Sequence, residues 1–216
     1  MQYMRFHSIP TRLSGATEFW TAAGMLKLPL GGTAQGRSRN LQGRRAFASR
    51  WRALQFAPDQ SVEAAWFGKF DTSVYGRENF MDMTDTGLQS ESYDLIISNH
   101  VLEHVANDRA ALIELLRVVG ESGVVHLCVP SPLARWETLD WGFPDPDKNR
   151  HYRDYGADFP IGMLEDISEA NAIAVVGRDT VTGLHEIVYF FSRSIETLAK
   201  MANLWERAYI AVVRFT

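Results

Sequence analysis

His100, Glu103 and His104 follow directly on an apolar run, in the spacing H-x-x-E-H, where two imidazoles and a carboxylate could hold a metal or move a proton. Zinc proteolysis with this pattern needs both histidines on one helical face, a third protein ligand and a glutamate base. His100 ends a strand-like run here, and the next helical pattern starts near Asp108, so the supporting helix is missing. No metal ligands are assigned on that spacing. Imidazole is the side chain best tuned to accept a proton near neutral pH, which leaves His100, His104 and His151 as candidate bases. His126 lies inside an apolar run and His7 in the N-terminal stretch, and both are set aside.

The elements that must position these groups are legible around them. Residues 93–98, YDLIIS, form an apolar run short enough for a strand buried on both faces. Asn107 is placed to cap a helix whose apolar positions Ala111, Leu112, Leu115, Leu116 and Val119 keep helical spacing, and Gly120 sits where a left-handed C-terminal cap is wanted. Residues 124–129 make a second buried strand, stopped by Pro130. A strand, crossover helix and strand of this length form a parallel unit, with ligands at the carboxyl ends of the strands. Asn99, His100, Glu103 and His104 therefore stand at the functional edge.

Elsewhere the pattern predicts strands over 53–56, 71–75, 80–83, 172–176 and 186–191, and helices over 61–69, 159–170 and 195–208. Residues 131–157 read as a long connection rich in aromatic side chains, among them Trp136, Trp141, Phe143, Tyr152 and Tyr155. A loop of that length in a compact domain is usually functional.

The segment YDLIISNHVLEHV with its following helix and strand resembles the fourth and fifth strands of class I S-adenosylmethionine (SAM)-dependent methyltransferases. ALQFAPDQSV is similar to the "LHFAPE"-type first strand and loop of one subgroup, which replaces the commoner glycine-rich loop. MDMTD at 81–85 resembles the third-strand acidic motif, and HYRDYGADF at 151–159 a signature after the fifth strand. The resemblance implies an α/β, Rossmann-like fold with a seven-stranded, mostly parallel sheet, helices on both faces and SAM as cofactor. It assigns the methionine part of SAM to Phe56, Ala57 and Pro58, adenine to Asp82 and Met83, and further cofactor contacts to Asn99 and His100. His151 is implied above the transferred methyl group, which makes it the favoured base with His100 second. Trp136, Tyr152, Arg153 and Tyr155 are the implied acceptor contacts. The acid expected for the ribose aligns near Ser73, Val74 or Tyr75, and Asp71 comes too early. Glu and His pairs serve some methyltransferases as ligands of a divalent ion, which is the lesser alternative to a histidine base.

The acceptor implied is a small molecule or glycan methylated on oxygen; the rival reading is a methyltransferase-like binding or regulatory module without catalysis. The 216 residues, 46% hydrophobic, suit a domain over 51–216 preceded by an extension or cap over 1–50. No apolar stretch reaches the roughly 20 residues of a membrane span, and the start lacks a signal peptide's apolar centre, so no membrane partner and a cytoplasmic location are expected. Cys128 is the only cysteine, which excludes an internal disulfide. Net charge is −4, yet residues 1–58 hold nine Lys or Arg against Glu18 alone. That segment lacks the interleaved aromatics of single-strand binders, so nucleic acid is not the expected partner; self-association is left open.

Overall fold

Short apolar runs become strands wherever both of their faces can be covered. The computed structural model describes residues 50–59, 61–130, 134–178, 185–207 and 211–215. Its strands are β1 (Arg52–Phe56), β2 (Lys69–Ser73), β3 (Leu95–Asn99), β4 (Val124–Cys128), β5 (Leu139–Asp145), β6 (His151–Asp154), β7 (Asn171–Arg178), β8 (His185–Ser192) and β9 (Ala211–Phe215). Its helices are α1 (Asp108–Val119), α2 (Phe159–Asp166) and α3 (Ile195–Arg207). Seven strands form one sheet in the order β2-β1-β3-β4-β8-β7-β9, and β5 pairs with β6 in a separate hairpin. β2, β1, β3 and β4 run parallel, while β8 is antiparallel to both β4 and β7, and β9 is antiparallel to β7.

Side chains alternate across the strands into two cores. Leu54, Phe56, Ile96 and Val125 pack with Leu112, Leu115 and Leu116 of α1 and Met163 of α2. Ala53, Leu95, Ile97 and Phe190 pack with Leu198, Met201, Ala202 and Trp205 of α3, whose spacing makes one apolar stripe. The α/β fold with helices on both faces is thus as the resemblance implies. Asn107 caps α1, accepting from Ala110 N at 3.0 Å, and Gly120 ends it at φ 72°.

Four elements differ from expectation. The helix over 61–69 is reduced to a 3-10 turn, Ala64–Trp66, because β2 begins at Lys69, in register with Arg52, and leaves too little chain for a helix. The strand over 80–83 is absent. Asp82 instead accepts from Thr84 N (2.8 Å) and Thr84 Oγ1 (2.7 Å), closing a turn whose local bonds compete with a ladder. The outer edge of β2 is covered by side chains: Ser73 Oγ accepts from Met81 N (2.9 Å), and Asn79 Nδ2 donates to the Thr72 carbonyl (2.7 Å). The long connection contains the β5–β6 hairpin, and β9 supplies a strand where none was expected. The expected extension over 1–50, with Arg37, Arg39, Arg44 and Arg45, lies outside the described residues apart from Arg50 itself. Arg52, the next basic residue, pairs with Asp94 at 3.0 Å.

Glu114 ties the 81–90 segment to α1. Its Oε1 accepts from Thr86 N (3.0 Å) and Arg117 Nη2 (2.7 Å), and its Oε2 from Arg117 Nε (2.7 Å). The Arg117 bonds hold this carboxyl down at about 2, from an ordinary 4.5. The depressed folded value means that the unfolded chain binds the proton first, so this stability is present above pH 4.5 and lost as pH falls toward 2. Glu114→Gln should be less stable at pH 7, and its stability should fall less steeply across that acid window in urea titrations. An unchanged acid slope would refute the coupling.

Candidate active site

Two non-glycine residues at adjacent strand tips take left-handed backbone, Ala57 at φ 46° after β1 and His100 at φ 54° after β3. Such conformations cost about 1 kcal/mol or more and persist where surrounding bonds impose them. Ala57 N donates to the Ser73 carbonyl and His100 N to the Cys128 carbonyl, each at 2.9 Å, so both are tied to a neighbouring strand. Between them lies Asp59. Its Oδ1 accepts from Gln55 Nε2 (2.9 Å) and Ser61 N (2.8 Å), and its Oδ2 from Asn99 Nδ2 (2.9 Å). Partial burial raises the Asp59 carboxyl, but the bonds from Ser61, Asn99 and Gln55 outweigh it and hold the group below its usual range. Among the described residues, Gln55 Oε1, Ser98 Oγ and Asn99 Oδ1 are buried at the same edge without a hydrogen-bond partner.

The hairpin supplies the other wall. Arg153 of β6 is buried, and its guanidinium donates to Asp140 Oδ2 (2.6 Å) and to the carbonyls of Val105 and Ala106 (2.7 Å each). Tyr155 Oη donates to Asp108 Oδ2 at 2.8 Å. This clamp fixes β6 against the 3-10 turn Leu102–His104 and sets the His151 ring edge-on to His104, with centroids 4.7 Å apart. Burial, then the neighbouring His104, lowers the His151 imidazole below its ordinary value. Glu103 is 1% exposed, and burial pushes its carboxyl up to about 7. Its Oε1 is 3.9 Å from His100 Nδ1, while the His100 side chain stays 57% exposed. Ligand atoms of Glu103, His104 and His151 all lie within 4.8 Å of one another.

Residues 53–127, which run from β1 to the end of β4, match the family model described as methyltransferase domain. Over that stretch the chain is similar to a methyltransferase domain. No curated protein sequence matches it significantly. Solved structures similar to it include a SAM-dependent methyltransferase of Thermotoga maritima, at 10% identity and TM-score 0.42, over 71% of this chain and 87% of that one. The Burkholderia thailandensis 1,6-didemethyltoxoflavin-N1-methyltransferase, solved with its substrate and S-adenosylhomocysteine, is 13% identical at TM-score 0.48 over 73% and 77% of the two chains. A Haloferax volcanii methyltransferase solved with its activator is 11% identical at TM-score 0.43, over 73% and 79%.

The strand tips offer groups that fit the methionine part of SAM, the cofactor that the sequence resemblance implies. The ammonium group needs acceptors, and Asp59, Gln55 Oε1 and Asn99 Oδ1 offer them at the edge where Ala57 adopts a glycine-like backbone. Asp59 and Gln55 were not singled out in the sequence; the aspartate in APD, at the position of the glutamate in the subgroup's APE, is the signal that could have found Asp59. Phe56 and Met83 are buried core members, so only their backbone could meet a cofactor, and Pro58 has no N–H to give. Asp82 is exposed, with both of its turn bonds on Oδ1. Asp71 accepts from Tyr93 Oη and pairs with Lys69, and β2 ends at Ser73 with no acid at its tip.

The aromatic segment divides. Trp136 is 64% exposed and Tyr152 half-buried, whereas Arg153 and Tyr155 are buried in the clamp. The polar groups of Arg153 and Tyr155, both expected at the acceptor, bond here to Asp140, Asp108 and the carbonyls of Val105 and Ala106. Asp59→Ala should weaken SAM binding by about 1.5 to 3 kcal/mol, as for a lost charged hydrogen bond, with Asp82→Ala a second, independent loss. Calorimetry showing wild-type affinity in either folded variant would remove that residue from the site.

Proposed function

We propose that the domain, over 51–216, transfers the methyl group of SAM to an oxygen of a small molecule or glycan in the cytoplasm. The observation that supports this reading is the gathering of His100, His104 and His151 beside Asn99, at the strand ends where the cofactor belongs. In this reading Asp59, Asn99 and the backbone of residues 56–58 hold the methionine part, and Asp82 with the Met83 backbone meets adenine. The acceptor lies under Trp136 and Tyr152, with its hydroxyl over His100 and His151. The acceptor oxygen forms a bond to the methyl carbon as the carbon–sulfur bond breaks. That electron pair returns to sulfur and leaves neutral S-adenosylhomocysteine, while the hydroxyl proton passes to an imidazole and on to water. Most of the acceleration comes from alignment of this in-line displacement.

The absence of an acid at the tip of β2 favours one second reading, a binding module that has kept the fold without catalysis. Calorimetry with SAM and S-adenosylhomocysteine is the first test, with micromolar affinity expected, about −8 kcal/mol. Methyl transfer from labelled SAM to hydroxylated small molecules and oligosaccharides is the second. No heat with either cofactor would overturn the enzyme reading and favour the module, as would binding without transfer across the panel.

A further inference from the structure

We infer that Glu103, His104 and His151 form a binding site for one divalent first-row transition-metal ion. Their ligand atoms, one from each residue, fall within 4.8 Å of one another, close enough for a single ion to reach all three. Glu103 carries the independent observation. It is 1% exposed, and its Oε2 is buried without a hydrogen-bond partner among the described residues. Buried carboxylates are normally paired or bound to a metal. The neighbouring donors do not fill that need: His100 Nδ1 is 3.9 Å from Oε1, and Arg153 is spent on Asp140, Asp108 and the carbonyls of Val105 and Ala106.

His104 is exposed and His151 half-buried, so the cluster opens to solvent on the imidazole side and is closed behind the carboxylate. Two imidazoles and one carboxylate suit cobalt, nickel, zinc or ferrous iron better than magnesium, which prefers oxygen ligands and its own waters. Three protein ligands leave positions open for an acceptor oxygen. The catalytic use of the ion rests on the O-methylation reading: a hydroxyl bound there would lose its proton more easily, and His100, outside the ligand set, would take that proton while His151 spends a ring nitrogen on the metal. Ion binding itself does not depend on that reading.

Untagged full-length protein, stripped with chelator, is titrated with Co2+ by calorimetry and visible absorption. The expected result is one equivalent bound per chain, with ligand-field bands that Zn2+ abolishes and millimolar Mg2+ does not. Glu103→Gln, His104→Ala and His151→Ala, each checked for folding by circular dichroism, should weaken Co2+ binding at least tenfold, and His100→Ala less than threefold. Absence of stoichiometric binding to the wild type, or wild-type affinity in the three folded ligand variants, would overturn the site. Either result would leave the O-methylation reading standing, since that is tested by cofactor titration and the acceptor panel.

Discussion

Arg153→Met is expected to destabilise the domain by about 3 kcal/mol, at the lower end of what breaking a buried ion pair costs. Methionine matches the apolar stem but leaves the carbonyls of Val105 and Ala106 without their donors and removes the partner of Asp140. Asp108, itself buried, keeps Tyr155 and Arg109, which is why the cost is placed at the lower end. Arg153→Lys should recover part of the loss, because an ammonium cannot serve two carbonyls and a carboxylate in the planar arrangement of a guanidinium. Urea unfolding midpoints at constant slope report the change. A loss under about 1 kcal/mol, the scale of an exposed pair, would show that the clamp contributes little. The consequence reaches the site as well, because Arg153 holds the strand that carries His151. In the Lys variant, which remains folded, the histidine ring signals in NMR should shift for His104 and His151 and stay fixed for His126.

The readable parts of the chain are those where one stretch of sequence settles its own environment. Residues 93–98 and 124–129 become β3 and β4 because strands covered on both faces are mostly apolar, and Asn107 and Gly120 end α1 through bonds to their own helix. The unread parts depend on distant partners. Asp82 closes a local turn where a strand is predicted, and Ser73 and Asn79 cover the edge that strand would have occupied. Arg153 is expected among the acceptor contacts, yet its partners at Val105 and Ala106 lie 48 and 47 residues earlier. The same separation hid the meeting of His104 with His151. The H-x-x-E-H spacing drew attention to His100, but it is the hairpin that brings a third ligand to Glu103 and His104. At the cofactor end, Ala57 adopts the left-handed backbone that a glycine would more readily supply.

His151→Ala should slow methyl transfer about 100-fold or more once an acceptor is known, the scale of losing a group that assists removal of the hydroxyl proton, whether by accepting it or by holding the ion that acidifies the hydroxyl. SAM affinity should be nearly unchanged, because His151 sits on the hairpin wall and the groups suited to the methionine part, Asp59, Gln55 and Asn99, lie at the tips of β1 and β3. Stability should move little, since the ring is half-buried and its backbone carbonyl, which accepts from Trp141 Nε1 at 2.9 Å, is kept. His100→Ala should behave differently and lower both turnover and cofactor affinity, because it removes a side chain at the left-handed tip of β3 beside Asn99. Single-turnover rates and calorimetry on the two variants separate these effects. Wild-type turnover in a folded His151→Ala variant would sink the assignment of this wall to the acceptor. A parallel loss of SAM affinity in that variant would move His151 to the cofactor side, where nothing in the geometry of β6 puts it.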